Sequence, residues 1–163
     1  MALSEQDQKV IEAFREWLEN SLSAEDGIGA IERHDHPDGS TLATRFELAA
    51  HVWLELAIRP VALQLQASIL TDDRWLSEEM ETAIEDSGDT MGEFVEMGFD
   101  EQGLDWEDPP VLHYRDASKC FYFSTPRDIE SLGVLAEESV RIRSRQMVLG
   151  YRCAFTSILA KSE

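Results

Sequence analysis

The stretch TLATRFELAAHVWLELAIRPVALQLQASI (residues 41–69) decides the fold class of this chain. Apolar and polar side chains alternate in three successive segments of it, 41–48, 52–58 and 61–69. Such period-2 alternation is typical of antiparallel strands that bury one face and leave the other open. The open face of these strands would carry Arg45, Glu47, Trp53, Glu55, Arg59, Gln64 and Gln66.

A helix is the alternative for the middle of this stretch. Residues 45–58 are rich in Glu, Leu and Ala, and Phe46, Ala49 and Trp53 also fit one face of a helix. Pro60 suits either the end of a helix or the edge of a strand. We favour strands and keep the helix as the alternative.

Helical periodicity predicts the elements on either side of residues 41–69. Ser4 caps an amphipathic helix that ends near Leu22, where glycines follow. Residues 72–108 predict two short helices, the second capped by Asp89. Thr125 is the expected cap of a long C-terminal helix, with a proline at its first turn.

Shorter strands complete the expected fold. Residues 28–33 predict a short strand, and residues 111–114 and 120–124 predict a β-hairpin. We therefore expect an α+β fold in a single domain, residues 1–163. Its antiparallel sheet of about five strands would pack against the N-terminal and C-terminal helices, with residues 72–108 as an acidic helical insertion.

Charge is concentrated in one segment of the chain. The 163 residues include 33 Asp and Glu against 14 Lys and Arg, a formal net charge of −19. Residues 72–108, the acidic segment, hold 15 acidic residues and one basic residue, Arg74. Phosphate binding needs clustered basic side chains, so we expect neither nucleic acid nor an anionic membrane as partner. Charge complementarity predicts that the basic run of Arg141, Arg143, Arg145 and Arg152 pairs with the acidic segment, either within the fold or across a dimer, and anion binding is the alternative.

Candidate chemistry is sparse. The segment 34–38 (His-Asp-His-Pro-Asp) has ligand types that metals use, but Asp, Pro and Gly there are more typical of a polar turn. Cys120 lies in an aromatic, strand-like run, where a thiol is usually a small buried hydrophobe. We assign no catalytic, cofactor-binding or metal-binding residues and no cofactor, and we lean against an enzyme.

The expected compartment is the cytoplasm. Two cysteines, Cys120 and Cys153, do not make a disulfide framework and suit a reducing environment. No basic region followed by an apolar run begins the chain, so we expect no secretory signal. Charged residues and prolines interrupt every apolar stretch, so we expect no membrane span.

The order of elements across residues 4–160 is helix, three strands, helical middle, two strands, helix. This layout resembles that of type III secretion chaperones and the related YbjN-like domains, which are small, acidic, α+β and often dimeric. The resemblance implies a non-enzymatic protein-binding module, chaperone-like or regulatory, that offers a sheet face or strand edge to a protein partner or to a second copy of itself. The alternatives are a small metal-dependent enzyme using residues 34–38, and an acidic antagonist or immunity-type protein that binds a basic partner.

Overall fold

The molecule is seen in a computed structural model, which describes residues 3–161. Over that range it contains four α-helices, six β-strands and one 3₁₀ helix. In chain order these elements are α1 (Glu5–Ser23), β1 (Ile31–Arg33), β2 (Leu42–Ala49), β3 (Val52–Arg59), β4 (Gln64–Thr71), α2 (Arg74–Ser87), α3 (Met91–Glu101), β5 (Leu112–Arg115), β6 (Phe121–Asp128), the 3₁₀ helix (Leu132–Ala136) and α4 (Glu138–Lys161).

The six strands form one antiparallel sheet in the order β1-β2-β3-β4-β6-β5. The α+β class is confirmed, but the sheet has six strands rather than about five. The helix alternative for residues 45–58 is wrong, because these residues form most of β2 and β3 and the turn between them. The period-2 pattern predicts burial on one face only, and for β3 this is wrong in part, because Glu55 and Ala57 on the second face are buried as well.

The helices contact the sheet through one of its faces. Alternate side chains of β3, from Val52 to Ile58, join helix side chains in a single buried cluster. The largest fully buried side chains of that cluster are Tyr151, Phe14, Phe46, Phe99, Phe123 and Phe155. A second, smaller cluster of Leu70, Cys120 and Tyr122 lies on the opposite face, which we call the open face.

The N-terminal helix is confirmed and the expected start of the C-terminal helix is wrong. Ser4 caps α1 by accepting a hydrogen bond from the Asp7 amide at 3.1 Å. Thr125, in contrast, lies inside β6, and α4 begins only at Glu138. Pro126 is tolerated in this strand because β5 pairs with β6 only as far as Ser124, so only β4 flanks the strand at the proline.

The acidic segment forms two helices, α2 and α3, as predicted, but the cap of α3 is Thr90 rather than Asp89. The Thr90 hydroxyl accepts from the Glu93 amide, and the Glu93 carboxylate accepts from the Thr90 amide, a reciprocal capping box. This exchange satisfies two amides at the start of the helix, whereas Asp89 lies one residue too early to do so.

Within one chain, Arg141, Arg145 and Arg152 do not pair with the acidic segment. Arg145 and Arg152 both form ion pairs with Glu25, just after α1, and Arg141 donates to the backbone carbonyl of Leu135. Helix α4 packs beside α1, so Glu25 is the carboxylate within reach of these side chains. No helix within residues 3–161 is long and apolar enough to cross a membrane.

Candidate binding groove on the open face of the sheet

Strand register sets polar side chains into rows on the open face. One row runs directly across four strands, from Arg45 through Glu55 and Ser68 to Ser124. A second row runs beside it from Ala43 through Ala57 to Gln66. Directly opposed residues on neighbouring strands have side chains close enough to interact, so each row acts as one surface.

The first row holds a buried ion pair. Arg45 Nε lies 3.0 Å from Glu55 Oε2, with only 15% and 5% of the two side chains exposed. The Tyr122 hydroxyl donates to the same Glu55 oxygen at 3.2 Å and accepts from Arg45 Nη2 at 3.0 Å. Burial raises the pKa of Glu55, because desolvation penalises the carboxylate more than the guanidinium favours it.

The side chains of Tyr114 and Tyr122 lie over the first row. The rings of Tyr114 and Tyr122 stack in parallel with centroids 5.0 Å apart. The Tyr114 hydroxyl accepts from Gln66 Nε2 at 2.7 Å, on the far side of the row. Beneath them, the Ser68 and Ser124 hydroxyls bond each other at 2.7 Å and are fully buried. A polar floor is therefore buried without any described helix covering this face.

A cavity of about 500 Å³ lies on this floor, and we call it the groove. Ala43 and Ala57, both small and nearly inaccessible, leave the space between Arg45 and Gln66 unfilled. The volume falls in the range of about 300–1,000 Å³ that is usual for ligand sites. The remaining lining residues are His34, Asp35, His36, Pro37, Thr41, Glu55, Arg59, Tyr114, Asp116, Ala117, Ser118 and Tyr122.

Two loops with fixed conformations form the walls of the groove. In the β1–β2 loop, the buried guanidinium of Arg15 forms a two-pronged ion pair with Asp35 at 2.8 and 3.0 Å. Burial alone would raise the pKa of Asp35, but the hydrogen bonds and charge of Arg15, together with the bond from the Ala43 amide, hold that pKa below its usual value. In the β5–β6 loop, Asp116 Oδ1 accepts from the amides of Ser118 and Cys120. Because these bonds hold both loops, a ligand that binds between them would need to order little of the chain.

The His and Asp residues of segment 34–38, which resembled a metal site in the sequence, do not converge on one point. Their side chains bond to different partners. Nδ1 of His36 lies 2.6 Å from Asp38, His34 is 3.4 Å from Glu32, and Asp35 faces Arg15. Across residues 3–161, no group of three His, Cys, Asp or Glu side chains is arranged to hold a metal ion. The segment forms a polar turn and one wall of the groove.

The sequence pattern predicts the open face of the sheet but not the groove on it. It assigned Arg45, Glu55 and Gln66 to the polar side of their strands, which is confirmed. It missed that Tyr114 and Tyr122 join them, because these residues come from a later hairpin. The available signal was a charged or amide side chain set inside otherwise apolar strands. Cys120, expected to be a buried hydrophobe, is buried beside Tyr122.

A second cavity, of about 450 Å³, lies on the acidic segment. Its lining combines the carboxylates of Asp89, Glu93, Glu96, Glu107 and Asp108 with Met97, whose surface is 62% exposed. Comparisons with known proteins do not add to the description of either cavity. No protein-family model, no curated protein and no solved structure matches this chain.

Proposed function

We propose that this protein is a non-enzymatic, cytoplasmic protein-binding module that receives a segment of a partner polypeptide in the groove. The observation that carries the proposal is the buried polar floor on a sheet face that the described helices leave open. Burying polar groups is costly unless they are bonded, so a chain that needed only a stable fold would do better with apolar side chains there.

The element order supports the same proposal. Helix α1, strands β2 to β4, helices α2 and α3, strands β5 and β6, and helix α4 follow the layout that resembles the secretion chaperones. The additional strand β1 adds a three-residue strand to the edge of that sheet. The β1–β2 loop that follows it forms one wall of the groove.

The groove is a better docking site than the strand edges. The outer strands β1 and β5 have only three and four residues. Short edge strands are a common way to prevent pairing with another chain, because they offer few free backbone groups. A partner that added a strand here would gain few hydrogen bonds, whereas the groove offers side-chain donors, acceptors and a stacked pair of rings.

Filling the groove should weaken binding. We expect peptides selected from a displayed random library against the full chain to bind at least about tenfold more weakly to Ala57→Leu, a loss of about 1.4 kcal/mol. The Ala57 side chain lines the cavity, so leucine would occupy the space that the peptide needs. Isothermal titration calorimetry measures the affinity.

The matched control is Ala24→Leu, which makes the same change at an exposed position after α1. Urea unfolding of both variants checks that they are folded. Selected peptides that bind Ala57→Leu and Ala24→Leu equally well would contradict the proposal.

A second candidate function is docking of a basic partner on the acidic segment. The observation that favours it is the exposed Met97 among five carboxylates, which would suit the aliphatic stem and charged end of a Lys or Arg side chain. This surface and the groove are formed by different elements, so mapping a bound partner separates the two candidates.

A further inference from the structure

The floor of the groove contains a side chain with an unmet hydrogen bond. Gln66 is 1% exposed, and its Oε1 finds no hydrogen-bond donor among residues 3–161. Its Nε2 donates to the Tyr114 hydroxyl at 2.7 Å. Rotating the amide by half a turn would bring Oε1 to the tyrosine and leave Nε2 unbonded instead. Leaving a buried amide atom unpaired costs about 1–3 kcal/mol, so this atom points to a ligand that supplies the bond.

The neighbouring ion pair of Arg45 and Glu55 has further atoms that could bond a ligand. Both hydrogen bonds to Glu55 go to Oε2, so Oε1 is the oxygen left for a ligand. Arg45 donates through Nε and Nη2 to its described partners, so Nη1 is the guanidinium nitrogen left for a ligand. Glu55 and Gln66 are diagonal neighbours on β3 and β4, with backbones about 7–8 Å apart. The floor thus presents two acceptor oxygens and one donor nitrogen on three neighbouring strands.

Charge selects among the groups that could fill this position. The charges of Arg45 and Glu55 cancel, so the pair is neutral as a unit. A cationic group would meet the Arg45 guanidinium, and a carboxylate would meet Glu55, and either would also lose its own hydration. A neutral group that has both donors and an acceptor avoids these costs, and a primary carboxamide is such a group.

We propose that the partner segment inserts the carboxamide of an Asn or Gln side chain into the groove. Its NH₂ donates to Gln66 Oε1 and Glu55 Oε1, and its carbonyl oxygen accepts from Arg45 Nη1. This inference rests on the proposed function and adds the side-chain chemistry by which the groove recognises its partner.

Small probes test the inference without a known partner. The full chain, labelled with ¹⁵N, is titrated separately with propionamide, propionate and propylammonium, and the side-chain amide signals of Gln66 and the backbone signal of Ala57 are followed by NMR. We expect propionamide to shift these signals at a concentration at least about tenfold lower than either charged probe.

The variant Gln66→Met removes the amide while keeping the side-chain length, and we expect it to abolish the Ala57 response to propionamide. The matched control Gln64→Met, on the same strand but outside the groove lining, should keep the response. Equal or tighter binding of a charged probe by the unmodified chain would overturn the inference, as would a response that survives in Gln66→Met. The probe preference needs no variant, so a folding defect in Gln66→Met leaves the inference testable.

The two proposals fail in different ways. If selected peptides lose affinity on Ala57→Leu while the probes show no preference for the carboxamide, only the carboxamide inference is wrong. If propionamide binds but no selected peptide is sensitive to Ala57→Leu, the groove is a small-molecule site and the protein-binding proposal is wrong.

Discussion

Replacing Arg45 with Met is expected to lower the free energy of unfolding by about 3–4 kcal/mol near pH 8, because it leaves the buried carboxylate of Glu55 without its counter-ion. The loss should shrink towards about pH 5. A carboxyl whose folded-state pKa is raised above the unfolded value of about 4.3 contributes stability at low pH and loses it as the pH rises through the folded pKa. Burial already raises the pKa of Glu55, and removing Arg45 raises it further.

Urea unfolding of the variant at the two pH values measures this effect. The double variant Arg45→Met, Glu55→Gln is the control, since it removes both charges and keeps an acceptor for the Tyr122 hydroxyl. We expect it to recover most of the lost stability, because replacing both members of a buried pair costs far less than removing one. A deficit that is the same at both pH values, or one that the double variant does not relieve, would contradict the electrostatic description of the open face.

Gly98→Ala is the second substitution with a large expected effect. Helix α3 crosses α4 so closely that an added Cβ at Gly98 would lie 2.1 Å from the carbonyl oxygen of Gly150 and 2.8 Å from the amide nitrogen of Ala154. These are backbone atoms of α4, so the helices must separate. We expect a loss of about 3 kcal/mol, at the upper end of overpacking effects.

Thermal and urea unfolding measure that loss, and Gly133→Ala provides the control. A Cβ at Gly133 meets only the Ser131 hydroxyl, at 3.6 Å, which is ordinary contact. We expect this control to stay within about 0.5 kcal/mol of the unmodified chain. Similar losses at both positions would mean that close packing of α3 on α4 is not what makes glycine necessary at position 98.

The parts of the fold that sequence predicted are those fixed by local pattern. Alternation in residues 41–69 predicted β2, β3 and much of β4, because burying one face of a strand requires it. Cap chemistry predicted α1 from Ser4. The same cap logic was wrong at Thr125, because a side chain that suits a helix cap also suits a strand, and pairing of β6 with β4 decides between them.

The candidate site depends on contacts that local pattern does not encode. Register across four strands aligns Arg45 with Glu55, Ser68 and Ser124, and a separate hairpin brings the tyrosine hydroxyls over them. The partners of the arginines in α4 likewise could not be predicted from charge alone. Charge complementarity predicted that these arginines would meet the acidic segment, whereas packing of α4 beside α1 gives Arg145 and Arg152 to Glu25.

Mapping a selected peptide on the ¹⁵N-labelled chain tests most directly whether a partner binds in the groove. If the partner binds there, the largest NMR shifts occur at Ala43, Ala57, Gln66 and Ala117, on the floor and one wall of the groove. Shifts confined to Glu93, Glu96 and Met97 would contradict binding in the groove and assign partner binding to the acidic segment instead.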